Sequence, residues 1–300
     1  MCIRDRHQQV WVNLAIEKIL ELQNQIEVYE TISSYRKLIM KYSEYRRLAA
    51  KTHLKIAELY LDQEDYDAAI EESSLILSKY ADQKEEVAEA EILQAKIYVE
   101  KNDDLRAIRH LKKVVYNFGT VRSGLYVVKA KEFLLDIYLK SGNEFRSAGE
   151  IQASYQRYRS AVELFPRNID ANRGMIASMY MLHRIDEAIK IYENLLAKFP
   201  GDETYLYLLG LCYSYKATEK SDRTKDIRSF NIKLMKYSNE LIEKALSKNY
   251  RIIQAYLTLS YNYEFIEKYE VALRQQQSGF LKSFLTTVVT LSLIHISEPT

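Results

Sequence analysis

Leu54 to Ile70 reads L-K-I-A-E-L-Y-L-D-Q-E-D-Y-D-A-A-I, two amphipathic helical runs meeting across a polar turn. The first run carries the small Ala57 one turn before Tyr60, and the second carries Ala69. Small residues let two helix backbones approach, and the tyrosine fills the space beside them. The same order returns as L-Q-A-K-I-Y at Leu93 to Tyr98, with Ala107 behind it. Further out, tyrosines recur at Tyr60, Tyr98, Tyr138, Tyr180, Tyr213 and Tyr263, and alanines follow five of them at Ala69, Ala107, Ala148, Ala188 and Ala272. The units close on Tyr80, Phe118, Phe165, Phe199, and Phe280 or Phe284. A large, small, large order over about 34 to 40 positions predicts helical hairpins too small to hide their apolar faces alone, so that neighbours must stack. The expected fold class is all-α, a solenoid of helix-turn-helix repeats.

Both ends of the sequence read as foreign. Met1 to Arg6, M-C-I-R-D-R, back-translates as ATG TGT ATA AGA GAC AG plus one base; the reverse complement in a shifted frame encodes Leu-Ser-Leu-Ile-His, which stands at Leu291 to His295. One DNA element in opposite orientations accounts for both, and it resembles the transposon mosaic end of fragmentation-based sequencing libraries. Residues 1–6 and 291–300 are therefore expected to be adapter, 7–290 an internal, metagenomic-type fragment, and 285–290 its truncated native end. Setting aside Cys2 leaves Cys212 as the one native cysteine, which precludes an intrachain disulfide. The apolar run from Phe280 to Ile296 is part adapter and is interrupted by Lys282, so no membrane span is expected.

Removing Arg4, Arg6, Asp5 and Glu298 takes two charges of each sign and leaves the formal +2 unchanged. Interspersed signs with no basic stripe argue against nucleic-acid binding. Low glycine, few prolines and abundant Leu, Ile, Glu, Lys and Tyr fit a helical chain.

Val10 to Tyr42 has helical apolar spacing without Gly or Pro. It reads as a degenerate repeat over 7–45, with a coiled-coil lead-in as the alternative. The array of about six units then spans 46–284. Two irregularities break its period: the third unit is expected to hold about two extra helical turns within Asn143 to Phe165, and Ala217 to Asp226, A-T-E-K-S-D-R-T-K-D, is a polar insertion. The insertion reads either as a solvated loop with a lengthened helix or as a binding loop.

The residues from Arg46 to Phe284 resemble the tetratricopeptide repeat, most closely at Leu209, Gly210 and Tyr213 and at Leu259, Tyr263, Tyr269 and Ala272. They depart from it where His53 or Tyr256 stands for the leading tryptophan, and the closing proline survives only as Pro166 and Pro200. The resemblance implies a right-handed superhelix. It also implies that partner peptides lie against the first helix of each repeat, three before and one after the conserved small residue. Here those positions are Leu54 and Glu58, Ile92 and Lys96, Glu132 and Asp136, Tyr207 and Leu211, and Leu257 and Tyr261. The Lys and Asn pattern with which co-chaperone members hold a terminal carboxylate is missing. Tyr207, Leu211, Leu257 and Tyr261 form either an apolar strip for an amphipathic partner or a surface covered by a following helix.

No catalytic constellation stands out. His7, His53, His110 and His183 lie in helical contexts without a second ligand at metal spacing, and Cys212 between Leu211 and Tyr213 reads as a small core residue. The reading is a non-enzymatic scaffold for a protein or peptide partner, without cofactor or metal, in which uncapped ends fray or self-associate. Repeats near 38 residues with aromatic closures resemble bacterial periplasmic members, so a cell-envelope location is favoured. The alternative is the recognition arm of a larger enzyme or sensor.

Overall fold

The computed structural model describes residues 27–224 and 231–266, and every regular element among them is helical. They are α1 (27–41), α2 (Arg46–Asp62), α3 (Tyr66–Lys79), α4 (Lys84–Glu100), α5 (Asp104–Asn117), a 3-10 turn (Val121–Gly124), α6 (Leu125–Ser147), α7 (Ile151–Leu164), α8 (Ile169–Met181), α9 (Ile185–Lys198), α10 (Glu203–Thr224), α11 (Ile232–Lys248) and α12 (Ile253–Phe265). From α2 onward, odd and even helices pair as hairpins. The expected adapter segments, Ala272, and Phe280 and Phe284 lie outside the described residues.

The four hairpin turns between α2 and α9 share one backbone device. A left-handed residue stands seven positions after the small or apolar crossing residue of the first helix: Glu64 after Ala57, Asn102 after Ala95, Gly149 after Gly142 and His183 after Ile176, with φ between 56° and 79°. The next amide reaches back across the turn, Asp65 to Tyr60 O, Asp103 to Tyr98 O, Glu150 to Phe145 O and Arg184 to Met179 O, at 2.8–2.9 Å. These bonds satisfy the carbonyls that a helix end leaves open. Side chains then start several of the following helices: Asp65 and Asp103 accept from the amides of Ala68 and Arg106, as Asn168 and Asn231 do from Ala171 and Leu234. Such a cap is worth about 1 kcal/mol. His183 thus lies in a turn rather than in the helical context expected of it.

Chain contacts divide the molecule into two compact units between Ile137 and Tyr138, within α6. In the N-terminal unit α2, α3, α4 and α5 pack each on the next, and the first helices α2 and α4 also touch directly. Its hairpins cross at Ala57 and Ala69 and at Ala95 and Ala107, all without solvent exposure. Tyr80 closes the first hairpin, buried under the guanidinium of Arg46, which bonds Lys79 O at 2.7 Å and Asp82 at 2.5 and 3.1 Å. Asp82 is held below the usual carboxylate range by that guanidinium. Arg36 of α1 reaches Glu72 at 3.1 Å and the Tyr60 hydroxyl, fastening α1 to the first hairpin.

In the C-terminal unit α8, α10 and α12 are the neighbouring first helices. Two crossings here use glycine and serine: Ser154 Oγ donates to Gly142 O at 2.9 Å, and Ser238 Oγ to Gly210 O at 2.7 Å. The Tyr158 ring is wedged between two first helices, since a Cβ on Gly174 would lie 2.3 Å from it and one on Gly142 3.0 Å. This register differs from the expected one. Ala148 is exposed in the turn, the crossing pair is Gly142 and Ser154, and Phe145 takes the place of the repeat tyrosine. The extra turns are also elsewhere: α7 has the same 14 residues as α3, α5 and α9, while the first helix α6 has 23 against 17 in α2 and α4. The expected insertion is likewise helical through Thr224, with Ala217 and Thr218 buried; Lys225 and Asp226 lie outside the described residues.

Candidate partner-binding grooves

The N-terminal unit carries a groove of about 830 Å³, and all its lining comes from the first helices α2 and α4 and the start of α6. Leu54, Glu58, Ile92 and Lys96 line it as expected, joined by Leu61 and Phe133. Leu54 is buried at its floor, Ile92 is half-buried, and Glu58 and Lys96 stand exposed on the rim. Lys55 Nζ lies 2.6 Å from Glu58, and that hydrogen bond raises the lysine pKa. The groove has an apolar bed with lysines and carboxylates along its edges.

The C-terminal unit holds two smaller cavities that share Arg173 and Tyr215. One, about 340 Å³, is polar and includes Asn143, Arg146, Asp170 and Arg173. The other, about 360 Å³, is lined by Leu211, Leu257 and Tyr261, all expected, together with Thr258. Tyr207 is corrected: its ring has no solvent exposure, and its hydroxyl meets Thr258 Oγ1 of α12 at 3.3 Å. The following first helix covers that position, so Tyr207 is core. Glu132 and Asp136 are exposed on α6 and line none of these cavities.

The register error explains what was missed. Counting three before and one after Gly142 gives Leu139 and Asn143, and after Ile176 gives Arg173 and Ala177; all four line the polar cavity. The signal was present: Ala57 to Ala69, Ala95 to Ala107 and Gly142 to Ser154 are each twelve residues apart. Tyr138 and Ala148, which also satisfied the looser tyrosine-to-alanine spacing, displaced it.

Cys212 is a core residue, and His53 and His110 each face a carboxylate. Cys212 is fully buried, which pushes its thiol pKa up, away from the thiolate that would react. His53 Nδ1 lies 2.7 Å from Glu72 and His110 Nδ1 2.5 Å from Glu91, in each case joining the two helices of a hairpin. Among the described residues no cluster of three His, Cys, Asp or Glu is placed to hold a metal, and no helix is long and apolar enough to cross a membrane.

The family profile for the tetratricopeptide repeat matches residues 145–212, from the end of α6 into α10. RNA polymerase-associated protein CTR9 of Saccharomyces cerevisiae is 26% identical over 150 residues, which cover 48% of this chain and only 14% of the yeast protein. A TPR repeats protein of Bacteroides fragilis is 16% identical, with 80% of this chain and 96% of that one covered at a TM-score of 0.41. The C-terminal part of a TPR repeat-containing protein from Cytophaga hutchinsonii is 17% identical, with 86% and 91% covered at 0.40. Residues 145–212 thus match the tetratricopeptide repeat, and the hairpins on either side of them are helix-turn-helix units of the same kind.

Proposed function

We propose that the chain is a non-enzymatic protein-interaction scaffold that holds partner segments against its first helices. One observation carries this reading: in the N-terminal unit a continuous groove of about 830 Å³ is lined by first-helix side chains alone, including Leu54, Glu58, Ile92 and Lys96. Its apolar bed between charged edges suits an amphipathic segment, whose apolar side chains anchor while the edges set orientation. A panel of amphipathic peptides displayed on phage and selected on the full chain tests it. Selected peptides should lose binding to Ile92→Asp while the helical circular-dichroism melt stays unchanged. Selection that ignores Ile92→Asp, or that yields no peptide, defeats the groove reading.

A cell-envelope location rests on the resemblance to periplasmic members and is part of the same proposal. Recovering more of the reading frame tests it: an export signal ahead of further repeats supports an envelope scaffold, whereas a transferase, kinase or protease domain would make this array the recognition arm of an enzyme.

A further inference from the structure

The second helices of the N-terminal unit carry opposite charge at equivalent positions of their outer faces. The hairpin crossings, Ala57 with Ala69 and Ala95 with Ala107, set α3 and α5 in one register, 38 residues apart. Both pack on α4 and run back against it, so they point the same way. On a helix, residues four, seven and eleven positions beyond a given one fall with it inside an arc of about 60°. On α3 such an arc holds Asp67, Glu71, Ser74 and Ser78; at the same four positions α5 holds Leu105, Arg109, Lys112 and Tyr116. All but the half-buried Ser74 are exposed, so both arcs face away from the core. Leu105 and Tyr116, at 68% and 78%, are more exposed than any other large apolar side chain of α2 to α5.

The central charges of these arcs are not neutralised within the unit. The side chains of Glu71, Arg109 and Lys112 make no ion pair or hydrogen bond among the described residues. Around them, Asp67 is held by Lys101 at 2.8 Å, Arg106 by Asp103 at 3.1 Å and Lys113 by Glu91 at 3.3 Å. An acidic arc and a basic arc on two parallel helices of one chain make a surface that complements itself.

We propose that two copies of this chain pair through the outer faces of α3 and α5, in an isologous dimer that sets Glu71 of each copy against Arg109 of the other. Charge fixes the symmetry. A two-fold axis parallel to the helices and midway between them lays α3 on the other copy's α5, and α5 on its α3, in matching register. Glu71 then meets Arg109 twice, and Leu105 and Tyr116 are covered in both copies. An axis running across the helices would lay α5 on α5 and α3 on α3, opposing like charges in each contact. The surface is two short helices wide and exposed ion pairs are individually weak, so the dimer is a salt-sensitive, micromolar one. The N-terminal groove is lined by first helices, and pairing through second helices leaves it open.

Sedimentation equilibrium of the full chain tests the pairing. The wild-type chain should show a monomer-dimer equilibrium that shifts toward monomer as salt is raised. Glu71→Arg and Arg109→Glu should each weaken the dimer at least about tenfold, because each change breaks the contact twice and opposes like charges there. The decisive arm is a mixture of the two. Glu71→Arg puts positive charge at both facing positions and Arg109→Glu puts negative charge at both, so the mixed variants should form a heterodimer of near wild-type affinity. The doubly substituted chain should regain its homodimer, and either recovery shows that the variants fold. A wild-type chain that stays monomeric overturns the inference, as does association that ignores either substitution or a mixture that fails to recover. Peptide capture by the groove is read separately through Ile92→Asp, so failure of the dimer leaves the scaffold reading standing.

Discussion

The two units make the same hairpin with different materials. In the N-terminal unit the helices cross at alanine pairs, and the buried polar groups include Glu72, Glu86 and Glu91, each answered by a basic side chain: Glu72 by Arg36, with His53 beside it, Glu86 by Arg47, and Glu91 by Lys113, with His110 beside it. In the C-terminal unit two of the crossings are Gly142 with Ser154 and Gly210 with Ser238, and the buried polar groups among the described residues are Ser, Thr and Asn. There Asn262 bonds Ser238 Oγ at 3.0 Å and Asn239 Oδ1 at 2.7 Å, while Ser214 bonds Asn262. The grooves invert this contrast. Lys55 paired with Glu58 stands at the edge of the first, and the second exposes arginines over one carboxylate. A repeat requires only that the residues at the crossing be buried and internally satisfied, and each unit meets that requirement with its own chemistry.

The largest effect that separates core from groove belongs to a pair of tyrosines in the C-terminal unit. Tyr207→Ala should cost about 3–5 kcal/mol, as expected for deleting a buried aromatic, whereas half-exposed Tyr261→Ala should change stability by about 0.5 kcal/mol and act on binding instead. Chemical denaturation of both variants checks this, and equal losses would merge the two roles. Next, Gly174→Ala drives a Cβ into the Tyr158 ring and should cost about 3 kcal/mol, the upper end for overpacking. Hydrogen exchange should show the loss confined to the C-terminal unit, and Tyr158→Leu should restore part of it.

Acid should distinguish the units as well. Burial alone would raise the Glu72 pKa, but the hydrogen bonds from His53 and Arg36 outweigh it and hold the carboxyl below its ordinary value. A depressed folded pKa gives stability that is present above the unfolded value of about 4.3 and is lost as pH falls through the folded one. Amide exchange between pH 5 and pH 3 should therefore accelerate first in the N-terminal unit. Glu72→Gln should cost about 1.5–3 kcal/mol at neutral pH and flatten that acid dependence; an unchanged acid limb would show that another group controls it. The smallest effect concerns the turns. His183→Gly relieves a left-handed side-chain residue and should raise stability by about 0.5–1 kcal/mol, while Gly149→Ala should lower it by a similar amount. Thermal melts of the pair would test whether the turns of both hairpins share one backbone shape.

Periodicity made the hairpins of the N-terminal unit readable to the residue, because Ala57, Ala69, Ala95 and Ala107 repeat both in type and in spacing. The third hairpin was misread because Gly142 and Ser154 keep the spacing and change the type, while Tyr138 and Ala148 keep the type and miss the spacing. The turn geometry resolves the ambiguity, since the left-handed residue must fall seven positions after the true crossing. Residues that line the first-helix cavities were legible where the register was right, and Tyr207 shows the limit of that rule. Its repeat position promises a surface, yet Thr258 of the next first helix lies over its hydroxyl.

The amino-acid order by itself determined that this chain is a stack of helical hairpins, because helix period, small crossing residues and closing aromatics are local properties that recur along the chain. Only the tertiary structure decided which first-helix residues are open and which are covered, and that Arg146 and Arg173 share a cavity. Exposure and proximity depend on how each helix lies against its neighbours, and no window of sequence contains that packing.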